Sequence, residues 1–291
     1  MSIIENAIGR LRRDSAAPRP TGLGREDQGR ESGERADPLA RRQIAIDLDA
    51  LRAARELPES NEDRRFAEYY REIKRPLIAR ALAVDARSDA RLILVTSALP
   101  ADGKTFTSLN LALSIARERD VSVLLVDADA PKAHLSRSFG VLEEPGLLNA
   151  LSNSALDVES LVLGTNIPGL EILPAGKAAA GAAPELISSA RMGHVAARLT
   201  ALYPRRLVLM DSSPLLVSSE ARALKQIPGQ ILLVVRAGQT PRQALLDAIG
   251  MVEKSKLYGL VLNEANESGG HGYYYGYAGY GDSEEPSGPP R

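Results

Sequence analysis

The sequence predicts an α/β fold, with a mostly parallel central sheet between two layers of helices. Short apolar runs recur at residues 92–95, 121–126, 170–173, 207–210, 231–235 and 257–262. Helix-period patterns lie between them, at 105–119, 184–202 and 241–254. Strands alternating with helices imply a parallel sheet covered on both faces. The runs are continuously aliphatic, as doubly buried strands are. A chain of 291 residues with no Trp and three Phe must build its core from aliphatic side chains. Ligands of such sheets sit at the carboxyl ends of the strands.

The run at 92–95 empties into a small-residue loop, Ser97 to Gly103, that closes on Gly103, Lys104 and Thr105. A helical pattern follows, with Leu109, Leu111, Ala112, Leu113 and Ile115. Strand, loop and helix in that order are the setting a phosphate-binding loop requires. Loop N–H groups and the helix N-terminus face an anion. Lys104 reaches the β and γ phosphates, and Thr105 holds Mg²⁺ through its hydroxyl. The fold class is therefore a P-loop NTPase three-layer sandwich. The pattern G-x-x-x-x-G-K-[ST] wants glycine where Ala98 stands; alanine serves there if φ is negative.

Net charge is −1, so no overall field favours nucleic acid. The chain has no cysteine, which removes disulfides, cysteine-ligated zinc and iron–sulfur clusters. His134, His194 and His271 are too widely spaced to suggest an imidazole metal site. No apolar run approaches bilayer length and the opening residues lack a secretion signal, so a cytoplasmic location is expected.

Residues 1–13 read as an amphipathic N-terminal helix. Ser2 and Glu5 form a capping box, and Ile3, Ile4, Ala7, Ile8 and Leu11 share a face ahead of Arg12 and Arg13. It docks either on a membrane or membrane protein, or on its own domain. Residues 14–42 hold few large apolar side chains and read as a disordered linker. Residues 43–90 form a helical extension: a strand at 44–48, a helix capped by Asp49 and ended by Pro58, then a longer helix at 61–84. Pro76 is expected to kink or break it. Glu68, Arg71 and Lys74, three apart, are expected on one face, either a solvated stripe or a subunit interface. The nucleotide-binding domain spans 91–263. Residues 264–291 are Gly- and Pro-rich, lack aliphatic core residues and read as a disordered tail. That tail holds five of nine tyrosines: Tyr273, Tyr274, Tyr275, Tyr277 and Tyr280.

Two further strand ends carry acids. VSVLLVDADAPK ends on Asp127 and Asp129, whose carboxylates share a face if the strand continues through Ala128. LVLMDSSP ends on Asp211, where a hydrophobic strand usually presents a carboxylate to Mg²⁺ or its waters. Mg²⁺ takes few direct protein ligands, so one acid remains as base toward a hydroxyl or water.

These motifs resemble the bacterial tyrosine kinases of exopolysaccharide and capsule export, above all the soluble autokinases of exosortase-linked loci. VTSALPADGKT, VDADAPK, LMDSSP, VVRAGQT, GLVLNE, the opening SIIENAIGRLRR, EYYREIK and the tyrosine-rich tail carry the likeness. The resemblance implies a kinase domain over 91–263 that binds ATP and Mg²⁺. The nucleotide would be contacted by Ala98, Leu99, Pro100, Ala101, Asp102, Gly103, Lys104, Thr105, Phe106 and Asn263. Asp127 would be the general base, and Thr105, Asp129 and Asp211 would position Mg²⁺. The tail tyrosines would be phosphoacceptors for a neighbouring subunit of a ring-like homo-oligomer, with Glu68, Arg71 and Lys74 at the interface. A transmembrane adaptor related to polysaccharide chain-length determinants and a protein-tyrosine phosphatase are implied partners. Through the adaptor the chain would lie peripherally at the inner membrane.

The sequence departs from the family pattern at several points. Ala98 replaces the first loop glycine, Lys74 the last arginine of the interface motif, and Pro131 the arginine of D-x-D-x-R, while Ser213 replaces a frequent proline. Two alternatives stay open. A ParA/MinD-like positioning ATPase would share the fold, but its early loop lysine is Leu99 here. A non-catalytic, nucleotide-dependent scaffold of a polysaccharide export complex is the other.

Overall fold

The computed structural model describes residues 41–59, 62–84 and 86–265. The expectations for residues 1–13, for nearly all of 14–42 and for the tail beyond Ala265 lie outside the described residues.

Among the described residues eight strands form one sheet: β1 (Gln43–Ile44), β2 (Leu92–Ser97), β3 (Ser122–Asp127), β4 (Leu163–Thr165), β5 (Leu170–Leu173), β6 (Arg206–Asp211), β7 (Gln230–Arg236) and β8 (Leu257–Asn263). Their spatial order is β1-β4-β5-β3-β6-β2-β7-β8. Every pairing is parallel except β4 with β5. Each expected apolar run is a strand. The strand expected at 44–48 is only the two-residue β1, since Leu48 already opens a helix, and the three-residue β4 is too short for a periodic signal and was not expected.

Each central strand splits its side chains between two cores. Leu92 and Leu94, Leu124 and Val126, and Val208 and Met210 enter one cluster. Ile93 and Val95, Val123 and Leu125, and Leu207 and Leu209 enter the other. The period of two is present, but hidden because both faces are apolar. The first cluster is closed by α5 (Leu147–Ser152), α6 (Ala183–Ser188), α7 (Ala190–Ala201), α8 (Ser219–Leu224) and α9 (Arg242–Met251). The second is closed by α1 (Leu48–Ala53), α2 (Asp63–Ala81), α3 (Lys104–Ala116) and α4 (His134–Ser138).

Four expectations are corrected. Helix α1 is capped by Asp47, not Asp49: the Asp47 carboxylate accepts from the Asp49 and Ala50 N–H groups at 3.0 and 2.9 Å, and the helix ends at Ala53, ahead of Pro58. Residues 184–202 form two helices, because Ser189 takes an extended conformation between them (φ −74°, ψ 155°). Of the kink or break expected at Pro76, the break does not occur: helix α2 is continuous from Asp63 to Ala81. The missing Pro76 N–H costs one bond to the Glu72 carbonyl, while Leu77 and Ala81 remain packed in the core on the far side. Lys74 does not share a face with Glu68 and Arg71. A spacing of three drifts about 60° per step on a helix of 3.6 residues per turn, so the third member points elsewhere. Lys74 is 5% exposed. Its Nζ donates to the Ser114 carbonyl at 2.5 Å and pairs with Glu118 at 2.8 Å. Glu68 and Arg71 stay at the surface and pair with each other.

At the amino end of the sheet Arg206 opens β6 fully buried. It pairs with the equally buried Glu159, and with Glu171 at 3.2 Å. Arg41 joins the cluster at 3.1 Å from Glu159, and the Tyr203 ring lies 4.4 Å from the Arg206 guanidinium. Removing one partner of a buried pair strands the other charge. Arg206→Ala is therefore expected to lower unfolding free energy by about 3–5 kcal/mol in urea titrations; a change below about 1 kcal/mol would class the pair with weak surface bridges.

Candidate active site

The site lies at the carboxyl ends of β2, β3 and β6. Register sets it: Val95 on β2 and Asp127 on β3 both align with Asp211 on β6. β2 ends at Ser97, and the chain turns through Ala98, Leu99, Pro100, Ala101 and Asp102 to Gly103, the residue preceding α3. Ala98 keeps a negative φ, so the missing first glycine introduces no strain. Left-handed geometry falls at Ala101 (φ 64°) and Gly103 (φ 95°).

Gly103 is required twice over. A Cβ there would sit 2.0 Å from the Asn263 side-chain nitrogen, besides the positive φ. Asn263, at the tip of β8, donates to the Asp102 carbonyl at 3.2 Å. The Asp102 carboxylate turns into its own loop. It accepts from the Leu99 N–H at 3.0 Å and the Thr240 hydroxyl at 2.8 Å. Asp102 therefore staples the loop, leaving only its backbone to face a ligand.

Lys104 opens α3 and is 6% exposed. Burial pushes its ammonium down, while Asp211, Asp129 and Asp102 oppose that shift. Asp211 is fully buried. It accepts from the Thr105 hydroxyl at 2.8 Å and the Ser108 hydroxyl at 3.0 Å. Burial, then the nearby Asp127 charge, raises its carboxyl to about 7. Asp127 accepts from the Ser136 N–H at 2.8 Å and its hydroxyl at 2.7 Å, both on one oxygen. The other oxygen, Oδ1, is buried without a partner among the described residues. Desolvation raises the Asp127 carboxyl against the pull of Ser136.

β3 stops at Asp127, so strand alternation does not bring Asp129 onto the same face. Asp129 instead begins a turn, its carbonyl accepting from the Lys132 and Ala133 N–H groups at 3.0 and 2.7 Å. Its carboxylate is held toward β6 by the Ser213 hydroxyl at 2.6 Å. Ser213, which stands where the family often has proline, thus makes a bond that proline could not. Ser108, Ser136, Ser213 and Thr240 escaped sequence reasoning; Ser108, one helical turn beyond Lys104, could have been found from periodicity alone.

A cavity of about 790 Å³ adjoins the loop through Gly103, Phe106 and Asn263. It runs along β8 and α2 and does not reach the acids. Phe106 stacks edge-on against Phe66 of α2, centroids 6.1 Å apart. Among the described residues no cluster of three His, Cys, Asp or Glu has metal-site geometry. No described helix is long and apolar enough to cross a membrane. The tail tyrosines lie outside the described residues, so their distance from the acids is not part of this geometry.

A glycine-hinged loop, a buried lysine at a helix start and acids on adjoining strand tips define a P-loop nucleotide-binding fold. No protein-family model matches the chain. Known proteins do. The chain is 32% identical over 187 residues to the tyrosine-protein kinase ptk of Acinetobacter johnsonii, covering 63% of this chain but 25% of that one. It is 31% identical over 186 residues to the tyrosine-protein kinase YwqD of Bacillus subtilis, covering 62% of this chain and 76% of that one. The crystal structure of the VpsO kinase domain aligns at a TM-score of 0.58 and 30% identity, over 72% of this chain and 100% of that domain. The chain thus spans about a quarter of the length of ptk and of other long relatives, and about three quarters of YwqD. It belongs to the bacterial tyrosine-protein kinases, a family of phosphoryl transferases.

Two predictions arise from this geometry. Gly103→Ala should lower stability by about 1–3 kcal/mol, from backbone strain and the Asn263 collision. Adding Asn263→Ala should recover part of that loss in the same urea titration; no recovery would leave the side-chain contact without effect. The second concerns pH. Burial pushes the Asp211 carboxyl up to about 7 in the folded chain, from an ordinary 3.8. The folded state therefore holds a proton that the unfolded chain has released. Its contribution is complete below the unfolded value and is lost as pH rises through about 7. Asp127 acts in the same direction. The melting temperature of ligand-free protein should fall from pH 5 to pH 8, and less steeply in Asp211→Asn. An unchanged slope in that variant would remove Asp211 as its source.

Proposed function

We propose that this chain is an ATP-dependent protein-tyrosine autokinase that phosphorylates the C-terminal tyrosine cluster of a neighbouring copy and regulates exopolysaccharide synthesis or export. The observation that carries this reading is the convergence of Lys104, Thr105, Asp127, Asp129 and Asp211 on one sheet edge. In that reading the loop from Ala98 to Phe106 wraps the phosphates, Lys104 neutralises the transferring group, and Asn263 lies at the base end of the nucleotide.

Three buried acids face one buried lysine, an excess of negative charge that invites a cation. Thr105, Asp129 and Asp211 offer the oxygen donors that suit Mg²⁺. When bound, the ion would draw charge from the β and γ phosphates. Among the described residues Asp127 Oδ1 has no hydrogen-bond partner. That oxygen takes the proton of an incoming tyrosine hydroxyl. The phenol oxygen bonds to the γ phosphorus, the bond from phosphorus to the β-bridging oxygen breaks, and ADP leaves.

Tail residues Tyr273, Tyr274, Tyr275, Tyr277 and Tyr280 are the acceptors in this scheme. Glu68 and Arg71 face the next subunit, and Lys74 supports the helix from inside. Each phosphate adds about −1.5 to −2 charges, so accumulated phosphorylation loosens the assembly. A membrane-spanning adaptor holds the kinase at the inner membrane, and a phosphatase resets the tail. Against the positioning-ATPase alternative, Leu99 packs on an apolar cluster where that class has its cross-dimer lysine.

Purified protein incubated with Mg-ATP should acquire phosphotyrosine between Tyr273 and Tyr280, read by mass spectrometry. Lys104→Met and Asp127→Asn should each reduce the rate by about 10²-fold or more. ATP turnover without phosphotyrosine would favour the ATPase, and neither would favour the scaffold.

A further inference from the structure

β8 is the outer strand of the sheet among the described residues, with β7 on one side only. Its free edge forms one wall of the 790 Å³ cavity, and α2 forms the other. The groove is aromatic and aliphatic, lined by Phe66, Tyr69, Ile73, Tyr258 and Val261. A bulge at Tyr258 turns its ring to the face of Val261, while Leu260 and Leu262, which also border the cavity, point to the other face and are 51% and 60% exposed. An exposed apolar edge strand is a template for another strand, and soluble proteins ordinarily blunt or cover it. No lysine, proline or arginine interrupts β8, and its one bulge lies at its start, leaving Gly259 to Asn263 in regular register.

The chain itself supplies an occupant. It leaves the described structure at Ala265, and Glu264 and Ala265 already line this groove. Glu264 takes a left-handed φ of 56°, which ends the strand direction at its last residue. Gly269, Gly270 and Gly272 follow, residues suited to a reversal. Residues 273–280 then read YYYGYAGY, eight positions against the seven of β8. In a strand Tyr273, Tyr275 and Tyr277 share one face, while Tyr274, Gly276, Ala278 and Tyr280 share the other. The three-tyrosine face matches the aromatic groove, and the smaller face matches Leu260 and Leu262. Aromatic and aliphatic cross-strand pairs each stabilise such a ladder. Tyr273 is eight residues past Ala265 (273 − 265), which reach about 26 Å, enough to return along the strand. Covalent attachment gives an effective concentration on the order of millimolar, above that of any separate partner.

We propose that the unphosphorylated segment 273–280 docks on its own subunit as an added strand on the edge of β8, with Tyr273, Tyr275 and Tyr277 in the groove beside α2. This goes beyond the kinase reading and does not depend on it, because binding requires neither ATP nor phosphate transfer. The mainly apolar lining of the groove favours a neutral phenol over a phosphorylated one, which would have to shed its hydration to enter.

Hydrogen exchange on the full, phosphatase-treated chain tests this. Amides of 257–263 should exchange about tenfold slower than in a full-length variant carrying serine at all five tail tyrosines. The protection should not depend on protein concentration. In Leu260→Lys/Leu262→Lys, changes at exposed positions, amides of 273–280 should lose their protection. Equal exchange of β8 with and without the tyrosines overturns the proposal, as does tail protection that survives the lysine pair. Protection that grows with protein concentration assigns the groove to a second copy and overturns it too. Phosphotyrosine formation, measured separately, leaves each of these outcomes distinct from failure of the kinase reading.

Discussion

The structure depends on the burial of Asp211 beneath the first turn of α3. An isolated carboxylate in that position would be costly, and two hydroxyls from one helix offset the cost. Thr105 and Ser108 donate to its two oxygens, one each. The same bonds fix where α3 begins, and so where Lys104 and the loop before it must stand. The start of the helix and the tip of the central strand are thereby one unit. Asp127 aligns beside Asp211 by strand register, not by local design. The result is a dry, acid-rich edge whose charge one lysine does not balance.

β6 is unusual in carrying a buried charge at each end. It begins at Arg206 and finishes at Asp211, with only apolar residues between. At the first end the charge is matched by Glu159 and Glu171. At the second it is left short of positive partners. Both ends rest in the same rigid two-sided core, so their difference is chemical rather than mechanical. A matched cluster is structural; an unmatched one suits an incoming cation and phosphate.

The helical extension is part of this core. Lys74 reaches the carbonyl of Ser114 near the end of α3, and Phe66 meets Phe106 near its start. Helix α2 therefore touches the nucleotide-loop helix at both ends. Glu68 and Arg71 ride on the outer face of that same α2. Any partner that grips this face acts on a helix already seated against α3.

Sequence alone determined the α/β class, the six main strands and the loop, because continuous aliphatic runs and a Gly-Lys-Thr turn are local signals. It also marked Lys104, Thr105, Asp127, Asp129 and Asp211, since each sits at the end of such a run or turn. It could not show that Lys74 faces inward, because a spacing of three does not reveal which face of α2 meets α3. It could not separate α6 from α7, where one extended serine interrupts an unbroken pattern. Nor could it find Ser136 or Ser213, whose value lies in side chains meeting across the sheet from distant positions. Local propensity is written along the chain, whereas register, burial and the pairing of buried charges exist only once strands far apart in sequence lie side by side.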